Sequence, residues 1–186
     1  MTGTPPLVVL DACVLANFSL CDTLLRLAEP PRFFEPKWSE EIIRETTRTL
    51  ELKLGWPNSL TAHLEKELRG HFSEAWITGY ESLVSRMTND EKDRHVVAAA
   101  VQGGAAIILT LNLRHFRPEH LALWGVRALH PQSFLIGIFR QEQAVVMTKL
   151  EQQATDRGRS LSQLLDILKR TVPDFVAIVS AAISRE

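Results

Sequence analysis

The run Leu7-Val8-Val9-Leu10 ends on an acid, Asp11. Four consecutive apolar residues closed by a charge suit a short strand covered on both faces, as in a parallel sheet, better than a half-solvated edge strand. A second such run, Ala105 to Leu111, follows the pair Gly103-Gly104 and closes on Asn112. Phe33-Phe34-Glu35-Pro36 and Val126 to Leu129 read as two further short strands. Helical periodicity fills the segments between them. It covers Val14 to Leu27, a helix capped by Ser39 and stopped by Gly55 and Pro57, two helices within 60–87, and Asp90 to Val101. From Ser133 onward the pattern stays helical, interrupted at Thr155 to Arg159 and at Pro173. Strands alternating with helices predict an α/β fold, three layers deep around a mostly parallel central sheet. Residues 1–132 form the expected domain, and 133–186 a helical C-terminal extension packed on it.

With 186 residues, 45% of them hydrophobic, the chain can bury one full core. The balance of 21 Lys+Arg against 22 Asp+Glu excludes a polybasic binder, but leaves room for a basic rim around an acidic centre. Cys13 and Cys21 have no metal-ligand spacing and are expected as reduced thiols. Met1 to Pro6 lacks a basic leader, and no apolar run reaches the roughly 20 residues of a membrane span. The expectation is a soluble, cytoplasmic protein.

In an open parallel sheet, sites form outside the carboxyl ends of the strands. Asp11 and Asn112 each end a strand, so they share an edge if those strands are neighbours. A carboxylate there pays desolvation unless compensated, and for several converging acids a divalent cation is the simplest compensation. On the 39–54 helix, Ile42, Ile43, Thr46, Leu50 and Leu54 define the inward face. Glu45 lies nearest its boundary and is the first choice for the site. Glu41, on the flank, is the second. A solvated helix side with Arg44 or Arg48 nearby explains either acid without a site.

Asp93, Val97 and Ala100 fall at i, i+4 and i+7, which puts Asp93 on an apolar stripe. A capping box is the competing explanation, with Asp90 as the cap and Asp93 reciprocating. The two are compatible, since Asp90 can cap while Asp93 binds. For Asp11, too, helix capping is the alternative. His95 and His115 make no pair at ligand spacing, which counts against a metal role. Arg44, Arg48, Lys92, Arg94, Arg114 and Arg117 flank the acids, as a phosphodiester substrate requires. Trp56, Trp76 and Trp124 suit base stacking or, more commonly, core and interface packing.

Four blocks taken together resemble the PIN-domain ribonucleases, in the branch that includes VapC-like toxins. They are Leu7 to Asn17, Trp38 to Glu45, Asn89 to Ala100, and Ile108 to Phe116. They occur in that family's order and span roughly residues 7–130. The resemblance implies a PIN-like α/β/α nuclease domain with a Mg²⁺ or Mn²⁺ site built from Asp11, Glu45 and Asp93. Asn112 falls where many relatives carry a fourth acid, Asp90 where an outer carboxylate is expected, and Asn17 where a polar residue is often kept. Arg114 joins Asp90 and Asn17 as an outer or substrate-facing residue. The implied activity is metal-dependent hydrolysis of RNA by the toxin of a toxin–antitoxin pair. The implied partners are RNA, a small antitoxin and a second copy in a homodimer, without a membrane.

The chain departs from the pattern at Ala12, where relatives often carry Ser or Thr, at Asn112, and at His115, which replaces a frequent acid. These departures keep open a catalytically silent PIN-fold module that binds RNA or protein. A phosphatase of the haloacid-dehalogenase kind also begins with strand-Asp, but it needs a second Asp where this chain has Cys13.

Overall fold

The computed structural model describes residues 4–185. The readings that touch Met1, Thr2, Gly3 and Glu186 lie outside it. Among the described residues, five strands form one sheet in the order β3-β2-β1-β4-β5, and every pairing is parallel. The strands are β1 (Leu7–Leu10), β2 (Glu35–Ser39), β3 (Trp76–Ile77), β4 (Ile107–Leu109) and β5 (Arg127–Leu129). β1 is central, with Val8 beside Pro36 of β2 on one side and Val9 beside Ile108 of β4 on the other. Val8, Val9 and Leu10 are fully buried, as a strand covered on both faces requires.

Helices α1 (Ala12–Leu15) and α2 (Phe18–Ala28) follow β1. Helix α3 (Glu40–Leu54) starts at Ser39, whose hydroxyl accepts from the Ile42 amide. It ends at Gly55, which takes φ +69°, a left-handed conformation that glycine adopts without strain. Ile42, Ile43, Thr46 and Leu50 are buried as expected, but Leu54 is exposed because the helix stops there at the surface.

The segment 60–87 holds one long helix rather than two, α4 (Asn58–His71), then β3 and the single turn α5 (Glu81–Val84). β3 escapes a periodicity search because two residues carry no pattern. It exists through pairing of Trp38 with Trp76 and through packing by the chain that returns from α6 (Arg94–Gln102). Gly103 is required here, since a Cβ would lie 2.6 Å from the Ile77 side chain. The helix expected from Asp90 divides into a 3₁₀ turn, Glu91–Asp93, and α6.

After the one-turn helix α7 (Pro118–Leu121) and β5, four helices complete the chain: α8 (Pro131–Gln141), α9 (Gln143–Asp156), α10 (Leu161–Leu168) and α11 (Pro173–Ile183). Pro131 and Pro173 open their helices, where the missing amide costs no bond. Ser160 and Gln163 make a reciprocal capping box on α10. α9 and α10 pack on α2, and α11 packs on α8, so one buried cluster runs from Val8 to Val179. The layers are helices on both faces of a parallel sheet.

A polar seam joins α9 to α2 inside this core. The Thr23 hydroxyl donates to Gln153 Oε1 at 2.7 Å, and Gln153 Nε2 donates to the Ser19 carbonyl at 2.9 Å. Thr23→Val leaves a buried acceptor unpaired and is expected to cost about 1–3 kcal/mol. The midpoint of urea unfolding reads that cost. An unchanged midpoint would show that water replaces the hydroxyl at this seam.

Candidate metal centre

The carboxyl edge of the sheet delivers the central groups of the site. β1 runs into Asp11, and the Asp11 amide donates to the Leu109 carbonyl at 3.0 Å, which continues the β1–β4 ladder. β4 runs into Thr110, Leu111 and Asn112 beside it. α3 brings Glu45 from above, and the start of α6 brings Asp93. Asp11, Glu45, Asp93 and Asn112 line one open cleft of about 470 Å³. Cys13, Arg48 and Lys53 border the same cleft. The structure therefore gathers into one place three acids and an amide that the sequence spreads from position 11 to position 112.

Asp11 is only 3% exposed, yet its carboxylate is not left bare. The Thr110 hydroxyl donates to Oδ2 at 2.6 Å, and the Cys13 thiol donates to the same oxygen at 3.0 Å. Burial and the Asp11 charge push the Cys13 thiol up to about 12, so it stays protonated at neutral pH.

Asp93 Oδ2 lies 2.7 Å from His115 Nδ1. Arg114 Nε donates to His115 Nε2 at 3.0 Å, which leaves the imidazole proton on Nδ1, directed at Asp93. Even so, the Asp93 carboxyl sits above its ordinary range. Burial is the main cause, the Asp11 and Asp90 charges add to it, and the His115 bond opposes it. His95 Nε2 lies 3.3 Å from Glu45 Oε1. Burial alone would lower His95, but the nearby Glu45, Glu41 and Asp93 charges outweigh it and raise its pKa.

A hard divalent cation fits this donor set. The carboxylates of Asp11, Glu45 and Asp93 are the oxygen ligands that Mg²⁺ and Mn²⁺ take, and the Asn112 amide beside them can hold a water. Burial raises Asp93 first and the Asp11 and Asp90 charges add to it, a cost that a bound cation offsets. Asp90, Asp93 and His115 also offer ligand atoms within 4.8 Å of one another. In that trio His115 Nδ1 is already committed as a donor to Asp93.

The remaining expected residues mostly serve the fold. The Asp90 carboxylate accepts from the Lys92 amide and caps the 3₁₀ turn, without the reciprocal bond from Asp93. Asn17 caps α2 through its oxygen and donates from its amide to Thr171 at 2.8 Å, so both its polar atoms serve the fold. Of the cations singled out from sequence, Arg48 lines the cleft. Arg44 pairs with Glu41, Arg94 donates to the Asn89 carbonyl, and Arg117 lies 4.0 Å from Glu119. Trp56 packs on Phe18, Arg69 stacks on Trp76, and Arg86 on Trp124.

Cys13, Thr110 and Lys53 are cleft or cleft-supporting residues that periodicity did not single out. They follow the strand ends that carry Asp11 and Asn112, or lie on α3 beyond Glu45, and no periodic signal marks them.

A family model for the PIN domain matches residues 7–114, more than half of the chain. Over 106 residues the chain is 37% identical to VapC50 of Mycobacterium tuberculosis, named as a candidate ribonuclease. That match covers 55% of this chain and 63% of VapC50, so the chain spans somewhat less than two thirds of that relative. No solved structure matches the chain significantly. Every element that builds the acidic cleft, from β1 through β4, lies within the matched segment, and the chain belongs to the PIN-domain family.

Proposed function

We propose that this protein is a metal-dependent endoribonuclease and the toxin of a toxin–antitoxin pair. The observation that carries the proposal is the convergence of Asp11, Glu45, Asp93 and Asn112 on one open cleft, with Arg48 and Lys53 at its side. The likeness to VapC50 supports RNA as the substrate. In the proposal, Asp11, Glu45 and Asp93 hold one or two Mg²⁺ or Mn²⁺ ions, and Asn112 orients water through its amide. Bound there, such an ion supplies a more acidic water and neutralises charge on the phosphodiester in flight.

The chain's own residues do the rest. Glu45, with His95 at 3.3 Å, ligates the ion or orients the attacking water. Arg48 and Lys53 hold phosphates flanking the scissile one, and Arg114 fixes His115, which in turn orients Asp93. Asp90 and Asn17 act at a remove, through the turn and the helix they cap. Residues 1–132 carry the site, and 133–186 brace it from behind. Leu52, on the cleft rim and 73% exposed, and Leu54, 58% exposed, offer apolar surface to a small antitoxin or to a second copy. No helix among the described residues is long and apolar enough to cross a membrane. We place the activity in the cytoplasm.

Incubating the purified chain with a mixed RNA pool in Mg²⁺, Mn²⁺ or EDTA tests the proposal. Cleavage with either metal and none in EDTA is the expected result. Binding of RNA without cleavage under any metal would replace the nuclease by the silent binding module.

A further inference from the structure

Asp11 is held by a closed set of hydrogen bonds that ties its orientation to the strand beside it. Thr110 Oγ1 accepts from the Asn112 amide at 3.0 Å, so its own proton is free to go to Asp11 Oδ2 at 2.6 Å. Cys13 Sγ accepts from the Leu111 amide at 3.2 Å and gives its proton to the same Oδ2 at 3.0 Å. Two backbone amides of one strand exit thus set the direction of two side-chain donors, and both donors converge on one carboxylate oxygen. Thr110 is fully buried, and its amide donates to the Leu129 carbonyl at 3.1 Å, which fixes its backbone beside Asp11. Oδ1 makes no hydrogen bond among the described residues and belongs to the side chain that lines the cleft.

We infer that Thr110 and Cys13 are positioning residues that saturate Asp11 Oδ2 and present Oδ1 alone to a cation in the cleft. The inference rests on the metal site proposed above. Two donors on Oδ2 leave that oxygen little lone-pair density for a metal, so Asp11 ligates through one oxygen. The same bonds hold Asn112 in register, because its amide is the first link of the chain that ends on Asp11. The thiol at residue 13 therefore takes a hydrogen-bonding part that a hydroxyl can also play. Partners of this kind, one bond behind a ligand, typically alter metal affinity by about 10–100-fold when removed.

The test is Mn²⁺ affinity by titration calorimetry, read with the metal-free melting temperature, in the full chain. Thr110→Val keeps the shape of the side chain and removes the donor, so Mn²⁺ should bind about 10–100-fold more weakly. Thr110→Ser keeps the donor and should stay within about threefold of the parent, a rescue that a packing role would not produce. Cys13→Ala should weaken binding by about tenfold and Cys13→Ser should restore it. This second pair carries the test if Thr110→Val does not fold. Parent-like Mn²⁺ affinity in Thr110→Val and Cys13→Ala would overturn the positioning role and leave the metal site standing. Failure of the parent protein itself to bind Mn²⁺ would overturn both.

Discussion

Asp93→Asn and Asp11→Asn are each expected to lower RNA cleavage about 10³-fold without unfolding the protein. The size follows from the charge removed. A ligand carboxylate that helps hold a catalytic cation accounts for roughly 4 kcal/mol of transition-state stabilisation, and about 1.4 kcal/mol is tenfold in rate. The preserved fold follows from the hydrogen bonds. In Asp93→Asn the amide oxygen can still accept from His115 Nδ1, the bond that Asp93 Oδ2 makes at 2.7 Å. In Asp11→Asn the amide oxygen can still accept from Thr110 and Cys13, as Oδ2 does. Each substitution then turns an NH₂ group toward the cleft, where it repels a cation and cannot ligate one. Melting temperature and Mn²⁺ affinity, measured beside cleavage, separate loss of the site from loss of the fold. Activity within tenfold of the parent in both variants would remove these acids from the mechanism.

Residues 1–132 expressed alone are expected to show no cooperative thermal transition. α2 is buried at Leu20, Cys21, Thr23, Leu24, Leu27 and Ala28, positions that face more than one side of the helix. The sheet covers one side, and α9 and α10 cover another. Removing 133–186 would also strip Phe134 from the edge of Phe34, 5.2 Å away, and break the Thr23–Gln153 and Asn17–Thr171 bonds. Two ion pairs would go with them, Arg26 with Asp156 and Asp22 with Arg157. Re-exposing about four large apolar side chains costs about 6–12 kcal/mol, at about 1.5–3 kcal/mol each. That is comparable to the whole stability of a domain, roughly 5–15 kcal/mol. A truncated chain that melts cooperatively near the full-length temperature would make the extension an independent addition rather than part of the core.

Much of the fold was legible because its signals are local. The apolar run before Asp11, the Ser39 cap, the Gly55 stop and the prolines that open α8 and α11 each act within one turn of helix or one strand. β3 was not legible, since two residues bear no periodicity and pair only because Trp38 stands beside them. The surface end of α3 at Leu54 was misjudged for a related reason. Helical periodicity records which way a residue points, but not where its partner helix or sheet stops.

The candidate site divides the same way. Residue type, strand exit and helical face mark Asp11, Glu45, Asp93 and Asn112 from the sequence, because a carboxylate beside an apolar run is costly and noticeable. Histidine spacing argued against a metal or acid-base role for His115. Yet His115 meets Asp93 across 22 positions, from a 3₁₀ turn beyond β4 that no periodic rule brings to it. Thr110 is 99 positions from Asp11, and only the parallel pairing of β1 with β4 sets its hydroxyl on Oδ2. By itself, then, the sequence determined most of the elements, β3 apart, which acids sit at their ends and which family they belong to, since these depend on neighbours in the chain. Which donors orient those acids, which cations reach the cleft and how the last four helices brace α2 were decided by tertiary structure. Hydrogen bonds and packing join groups that are close in space, and strand register brings them there.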